Sequence, residues 1–170
     1  MILRKLKNSD EKSFKQAMAD FQKNDPDWQF AFHFDERKPF SEYVSLVESW
    51  ERGEQLNGFV PSTFLVAVVD EKIVGRVSLR HELNDFLMWE EGGHIGYGVV
   101  PTFRLKGYAV QMLKQSLQFA RGIGLSRVLL TTDDWNIGSI NVIERNGGVK
   151  ETSRDIRVKT NKLRYWIDLA

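Results

Sequence analysis

The sequence predicts a mixed α/β fold in which meandering strands come first and a β-α-β-α unit follows. Three observations carry this expectation. Two β-rich runs, TFLVAVV (63–69) and KIVGRVSLRHEL (72–83), are joined by a tight turn at Asp70-Glu71-Lys72, which marks a hairpin. The stretch HIGYGVVPTFRLKGYAVQML (94–113) opens as a strand, is stopped by Pro101 and ends as a helix. RVLLTTD (127–133) shows little polar alternation, as expected for a strand covered on both faces.

The elements follow in order. ILRKL (2–6) alternates like a short strand, and Ser9-Asp10-Glu11 resembles a helix start. That helix should run to about Lys23, with Phe14, Ala17, Met18 and Phe21 on one face. NDPDWQFAFHFDERKPF (24–40) is an aromatic-rich connection, whose Trp28, Phe30, Phe32 and Phe34 are expected to pack on the core rather than line a cleft. Ser41 is the expected cap of a second helix, EYVSLVESWER (42–52), ended by Gly53. After the hairpin, NDFLMWEEGG (84–93) leads into the strand at 94, and a helix is expected from Gly107 to about Gly122. NIGSINVIERN (136–146) fits a short helix closed by Gly147-Gly148, and VKETSRDIRV (149–158) and KLRYWIDL (162–169) read as two last strands. No repeat or long linker divides residues 1–170, so one domain is expected.

Composition narrows the function. Lys plus Arg number 24 against 23 Asp plus Glu, so no net field favours nucleic acid or an anionic membrane, and any electropositive site must be local. The absence of cysteine removes disulfides, thiolate metal sites and a Cys nucleophile together. Asp133-Asp134 resembles a metal carboxylate pair, yet no His or further acid completes it locally, and no metal is expected. Neither a signal-peptide run nor an apolar stretch of membrane-spanning length is present, so a cytoplasmic protein is expected.

The chemistry concentrates where the strand at 94 hands over to a helix. A helix N-terminus presents free backbone N–H groups and the positive end of the dipole, which suits an anion. Gly107 allows close approach to the backbone, Ala109 keeps the next turn small, and Arg104 and Lys106 supply donors for phosphate oxygens. The turn lacks the G-x-x-x-x-G-K-[ST] of a nucleotide P-loop, and the glycines of GYGVV lie inside a strand rather than opening a helix.

Val99-Val100-Pro101, then Arg104-Leu105-Lys106-Gly107-Tyr108-Ala109, then Asn136 and Ser139 on the helix after RVLLTTD, resemble the GNAT family of N-acetyltransferases in order and spacing. RHELN, GGHIGYGV, NIGSINVIERNGG and RYWIDL resemble, more narrowly, a group of bacterial acetyltransferases of undefined substrate. The resemblance implies a single domain with a central, mostly antiparallel twisted sheet of about seven strands flanked by about four helices. It implies acetyl-CoA as cosubstrate. The turn at Arg104, Leu105, Lys106, Gly107, Tyr108 and Ala109 would cradle the diphosphate, and the strand carrying Tyr97, Gly98 and Val99 would pair with the pantetheine arm. Asn136 and Ser139 would face the cofactor from the later helix. The acceptor implied is a primary amine of a small molecule or peptide, and the resemblance also allows a homodimer.

Amine acetylation needs a neutral nucleophile, a donor to the tetrahedral oxyanion and an exit for the thiolate. The resemblance supplies the oxyanion donor from a strand N–H near Val99. In many family members a Tyr seven residues after the helix Asn serves as acid, but here that position is Ile143. Glu82, at the end of a central strand, and His94, on the cofactor-side strand, are the candidate bases, and Tyr165 is the alternative acid. Glu90 and Glu91 could draw in a cationic amine. Two alternatives remain beside N-acetyl transfer: a different acyl donor or acceptor on the same fold, and a non-catalytic acyl-CoA sensor, which the missing Tyr favours.

Overall fold

A computed structural model describes residues 1–90, 92–153 and 155–169. Its elements follow the order expected. Strand β1 (Ile2–Lys5) leads into helices α1 (Glu11–Asn24) and α2 (Phe40–Glu51). Next come β2 (Ser62–Val69), β3 (Lys72–Arg80) and β4 (Ile95–Val99). Helix α3 (Tyr108–Gly122), β5 (Arg127–Thr132), α4 (Ile137–Arg145), β6 (Val149–Lys150) and β7 (Leu163–Asp168) complete the chain. The mixed α+β class is as predicted, and the described residues form two separate sheets rather than one central sheet of about seven strands. Strands β1-β2-β3-β4 form one antiparallel sheet and β5-β7-β6 another.

The hairpin turn explains its own register. Asp70 and Glu71 both have positive φ, 46° and 62°, the backbone of a two-residue turn whose twist matches the strands it joins. Two apolar layers then clamp the first sheet. Helices α3 and α4 cover one face, where Met112, Leu113, Leu79, Val99 and Ile143 are buried together. Helices α1 and α2 cover the other through Phe14, Phe21, Tyr43, Trp50 and Phe64. Phe14, Ala17 and Phe21 face inward on α1 as their spacing predicts, because residues three and four apart share a helix face.

Three boundaries differ from expectation, each for a local reason, and one connection takes a regular form. Helix α2 begins at Phe40 behind Pro39, whose carbonyl accepts from Glu42 N–H at 3.0 Å, so Ser41 lies inside the helix rather than capping it. Strand β3 ends at Arg80: the next pair of the ladder keeps His81 N–H to Pro61 O at 2.8 Å, but Pro61 has no N–H to return the bond, and Glu82 lies beyond the strand. Residues Phe86–Glu90 form a π-helical turn. The strand expected over 149–158 shrinks to Val149–Lys150, because Asp155 accepts from Arg157 N–H at 2.9 Å and bends the chain into an Asx turn.

Candidate functional site

The two sheets meet at one seam. His94 N–H donates to Leu129 O at 2.7 Å, and Leu129 N–H donates to His94 Nδ1 at 2.9 Å. An isolated bridge joins Gly93 to Leu130 alongside. Beyond this seam β4 pairs only with β3, and β5 only with β7. The phase of the β3–β4 ladder is set by Arg80 N–H to His94 O at one end and Val100 N–H to Val74 O at the other. Even-numbered residues of β4 therefore bond to β3, and the N–H and C=O groups of Ile95, Tyr97 and Val99 face away from it, toward the gap before β5.

A cavity of about 730 Å³ runs through this gap. Ile95, Gly96 and Tyr97 of β4 and Leu130, Thr131 and Thr132 of β5 line its middle. Asn136 and Ser139 line it from the α4 side. Asn136 is the N-cap of α4, its Oδ1 accepting from Ser139 N–H at 3.0 Å, and Ser139 Oγ lies 3.2 Å from the Tyr97 hydroxyl. Burial pushes the Tyr97 phenol up to about 12, with the Ser139 hydrogen bond acting the other way, so it stays protonated at neutral pH.

At the far end of β4 stands the uncapped start of α3. Gly107 adopts a left-handed backbone (φ 77°), no side chain caps the helix, and the space where a Cβ would stand is open. The first helical bond there runs from Gln111 N–H to Gly107 O, which leaves the N–H groups of residues 108–110 without partners inside the helix. Leu105 is fully exposed and Lys106 lies 5.2 Å from the Phe103 ring. Arg104 differs from expectation. Its guanidinium pairs with Asp25 and donates through Nε to Val99 O at 3.2 Å, so it braces the turn against α1. In this turn the backbone N–H groups of the helix start and Lys106 are the donors with no carboxylate partner among the described residues.

The opposite end of the cavity is built by side chains. Arg76, Ser78 and Arg80 project from one face of β3, and Trp28, Phe32, Trp50 and Phe59 enclose the space beyond them. Trp28 stacks on Phe21 at 4.6 Å between ring centres and covers Gly98, where a Cβ would come within 2.4 Å of the indole. The expectation that the loop aromatics only pack on the core thus holds for Phe30, which is buried, while Trp28 and Phe32 also reach the cavity. Arg76, Ser78 and Arg80 carried no role in the sequence reading. The signal was present in VGRVSLR, where polar residues alternate through an otherwise apolar central strand.

The three residues expected to move protons do not line this cavity. Glu82 is exposed beyond β3. His94 is buried, its Nδ1 is occupied by the Leu129 amide, and burial together with Arg80 and Arg127 pulls its pKa down to about 4. Tyr165 is buried in the core, with its hydroxyl 3.3 Å from Glu144 Oε1. Ile143 is core as well. Glu90 pairs with Lys159, and Glu91 lies outside the described residues. No group of three or more His, Cys, Asp or Glu that could hold a metal exists among the described residues. No helix there is long and apolar enough to cross a membrane.

Residues 1–149 match a family model described as an acetyltransferase (GNAT) domain. Solved structures share the fold at low identity. Mycobacterium smegmatis RimJ in complex with CoA-disulfide is 18% identical with a TM-score of 0.68, covering 98% of this chain and 80% of that one. The ribosomal-protein-S5-alanine acetyltransferase of Vibrio fischeri is 20% identical, with a TM-score of 0.67 and coverage of 98% and 91%. A spermidine N-acetyltransferase from Vibrio cholerae is 17% identical, with a TM-score of 0.62 and coverage of 99% and 95%. No protein of curated function matches the sequence.

Proposed function

Since the chain belongs to the GNAT acetyltransferase family, we propose that it transfers the acetyl group of acetyl-CoA to a primary amine by direct attack on the thioester. The observation that carries this reading is the free edge of β4, which runs from the cavity toward the uncapped start of α3. An extended amide-bearing arm can pair with the edge as an added strand, and a diphosphate can sit at the helix start. That the RimJ structure is in complex with CoA-disulfide supports a CoA ligand for this fold.

The steps follow from the residues that line the cavity. A neutral amine attacks the thioester carbonyl, a C–N bond forms, and the oxyanion is met by an N–H of the β4 edge, at Tyr97 or Val99. The C–S bond then breaks and sulfur leaves as a thiolate. A phenol near 12 holds its proton more tightly than a thiol of about 8.5, so Tyr97 donates a hydrogen bond to the leaving sulfur rather than a proton. This gives Tyr97 the place that Ile143 vacates. Among the described residues no carboxylate or imidazole lines the acceptor end, so water in the open cavity takes the ammonium proton.

A second reading, a sensor that binds acyl-CoA without turnover, draws support from Ile143, which sits in the core instead of facing the site. Two measurements separate the readings. Calorimetry should give acetyl-CoA a much higher affinity than acetyl-pantetheine; equal affinities would remove the diphosphate cradle. Release of free CoA thiol in the presence of amines marks an enzyme, whereas tight binding with no release across amines of every charge type marks a sensor.

A further inference from the structure

Among the described residues, the acceptor end of the cavity holds two arginines and no acid. Arg76 is 4% exposed, and its guanidinium lies 4.3 Å from the centre of the Trp28 ring. It donates to Gln29 O at 2.7 Å, while its Nε has no partner. Arg80 donates one bond, to Gly93 O at 2.8 Å, and its guanidinium stands 3.8 Å from where a Cβ on Gly96 would be. Among the described residues neither arginine pairs with a carboxylate, and the carboxylate on the cavity wall, Asp133, is at the α4 side near Lys162.

Burying a guanidinium without a counter-ion is costly, and two on one strand face repel each other. Burial does lower the pKa of both, that of Arg76 to about 10, yet each remains a cation at neutral pH. The strand thus carries an uncompensated positive field into a space walled by Trp28, Phe32 and Phe59, where low polarizability makes that field strong. A polyammonium acceptor would be repelled from it. An anion would complete it.

Position narrows the ligand further. Arg80 lies over Gly96, and Gly96 is one residue from Tyr97, whose backbone faces the gap. Two residues of strand span roughly 7 Å, so an anion held by Arg80 sits within one small molecule's length of the thioester. Building on the transferase reading, we propose that the acceptor is a compact amine carrying its own oxyanion, carboxylate or phosphate, with an apolar group against the aromatic wall. Arg80 takes the oxyanion, Arg76 reinforces the field and fixes Trp28, and the amine points to the gap.

The test uses the CoA-loaded protein and calorimetry with 3-phenylpropionate, phenyl phosphate and phenethylamine. At least one anion should bind tenfold or more tighter than the amine, and the better of the two tells carboxylate from phosphate. Arg80→Gln should remove that preference, Arg80→Lys should keep part of it, and acetyl-CoA affinity should be unchanged in both. Arg80→Lys, which keeps the charge, also guards against a folding defect in the neutral variant. Equal or tighter binding of phenethylamine, or no binding of either anion, overturns the proposal. So does acetylation of spermidine in preference to both L-phenylalanine and O-phosphoethanolamine. If acetyl-CoA itself fails to bind, the transferase reading falls, and the same three probes on the unloaded protein still decide the charge preference of the cavity.

Discussion

The two ends of the cavity recognise by different means. The end formed by β4 and α4 offers mostly backbone: the odd-numbered edge of β4, which leads beyond the cavity to the open N–H groups behind Gly107. The end formed by β3 and the loop before α2 offers side chains, with Arg76 and Arg80 set among Trp28, Phe32 and Phe59. Backbone recognition constrains sequence tightly, because a positive φ and a bare approach demand glycine at a fixed place. Side-chain recognition can be rebuilt from many residues. The first end suits a ligand common to a whole family, and the second a ligand particular to this chain.

The largest effect should come from striking the backbone end. Gly107→Val forces a β-branched residue to φ 77° and fills open space with a side chain. Acetyl-CoA affinity should fall by about 100-fold or more, a loss of roughly 3 kcal/mol or more. Binding of the anionic probes at the far end should survive, and loss of both together would show that the two ends are one site.

Tyr97→Phe sharpens the division within the chemistry. A hydrogen bond to a developing anion is worth about 1.5–3 kcal/mol, so kcat should drop by about 10- to 100-fold with acetyl-CoA affinity kept. A variant with wild-type kcat would leave the thiolate unassisted and return Tyr97 to packing against Ser139.

His94 tests the seam rather than either end. His94→Ala strands the Leu129 amide, and the melting temperature should fall by the equivalent of about 1–3 kcal/mol. The pH dependence has a definite sign. The folded pKa near 4 lies below the ordinary 6.5, so between those values the unfolded chain binds the extra proton. This contribution is fully present above pH 6.5 and is lost as the pH falls toward 4, in total about 3 kcal/mol. Urea titrations from pH 7 to 4 should show a shallower acid loss in the variant than in the wild type.

The smallest effect is expected at Glu82. It is exposed and away from the cavity, so Glu82→Gln should keep rate and affinity within about twofold. Loss of the acidic limb of the pH–rate profile in this variant would restore it as the base.

The strand-to-helix turn and the start of α4 were legible because Pro101, Gly107 and Asn136 act through local backbone geometry that spacing reveals. It also displayed the hairpin and the inward face of α1, where period alone decides. The residues expected to move protons lie off the cavity lining, each for its own local reason. Pro61, which has no N–H to answer His81 across the ladder, ends the β2–β3 pairing at Arg80 and leaves Glu82 beyond the strand. His94 looked available because a buried imidazole bonded to a backbone amide from a distant strand leaves no mark on its neighbours in sequence. Arg76 and Arg80 were overlooked because alternation shows that a side chain leaves the apolar face, not what it then meets.

The seam has a consequence for motion. Two sheets that touch through Gly93, His94, Leu129 and Leu130 have few hydrogen bonds resisting rotation about that line. A guest bonded along β4 and wedged against β5 would act as a splint across the joint. Amide protons of β4 and β5 beyond the seam should therefore exchange with deuterium more slowly once acetyl-CoA is bound, while those of the β2–β3 hairpin, already paired, should change little.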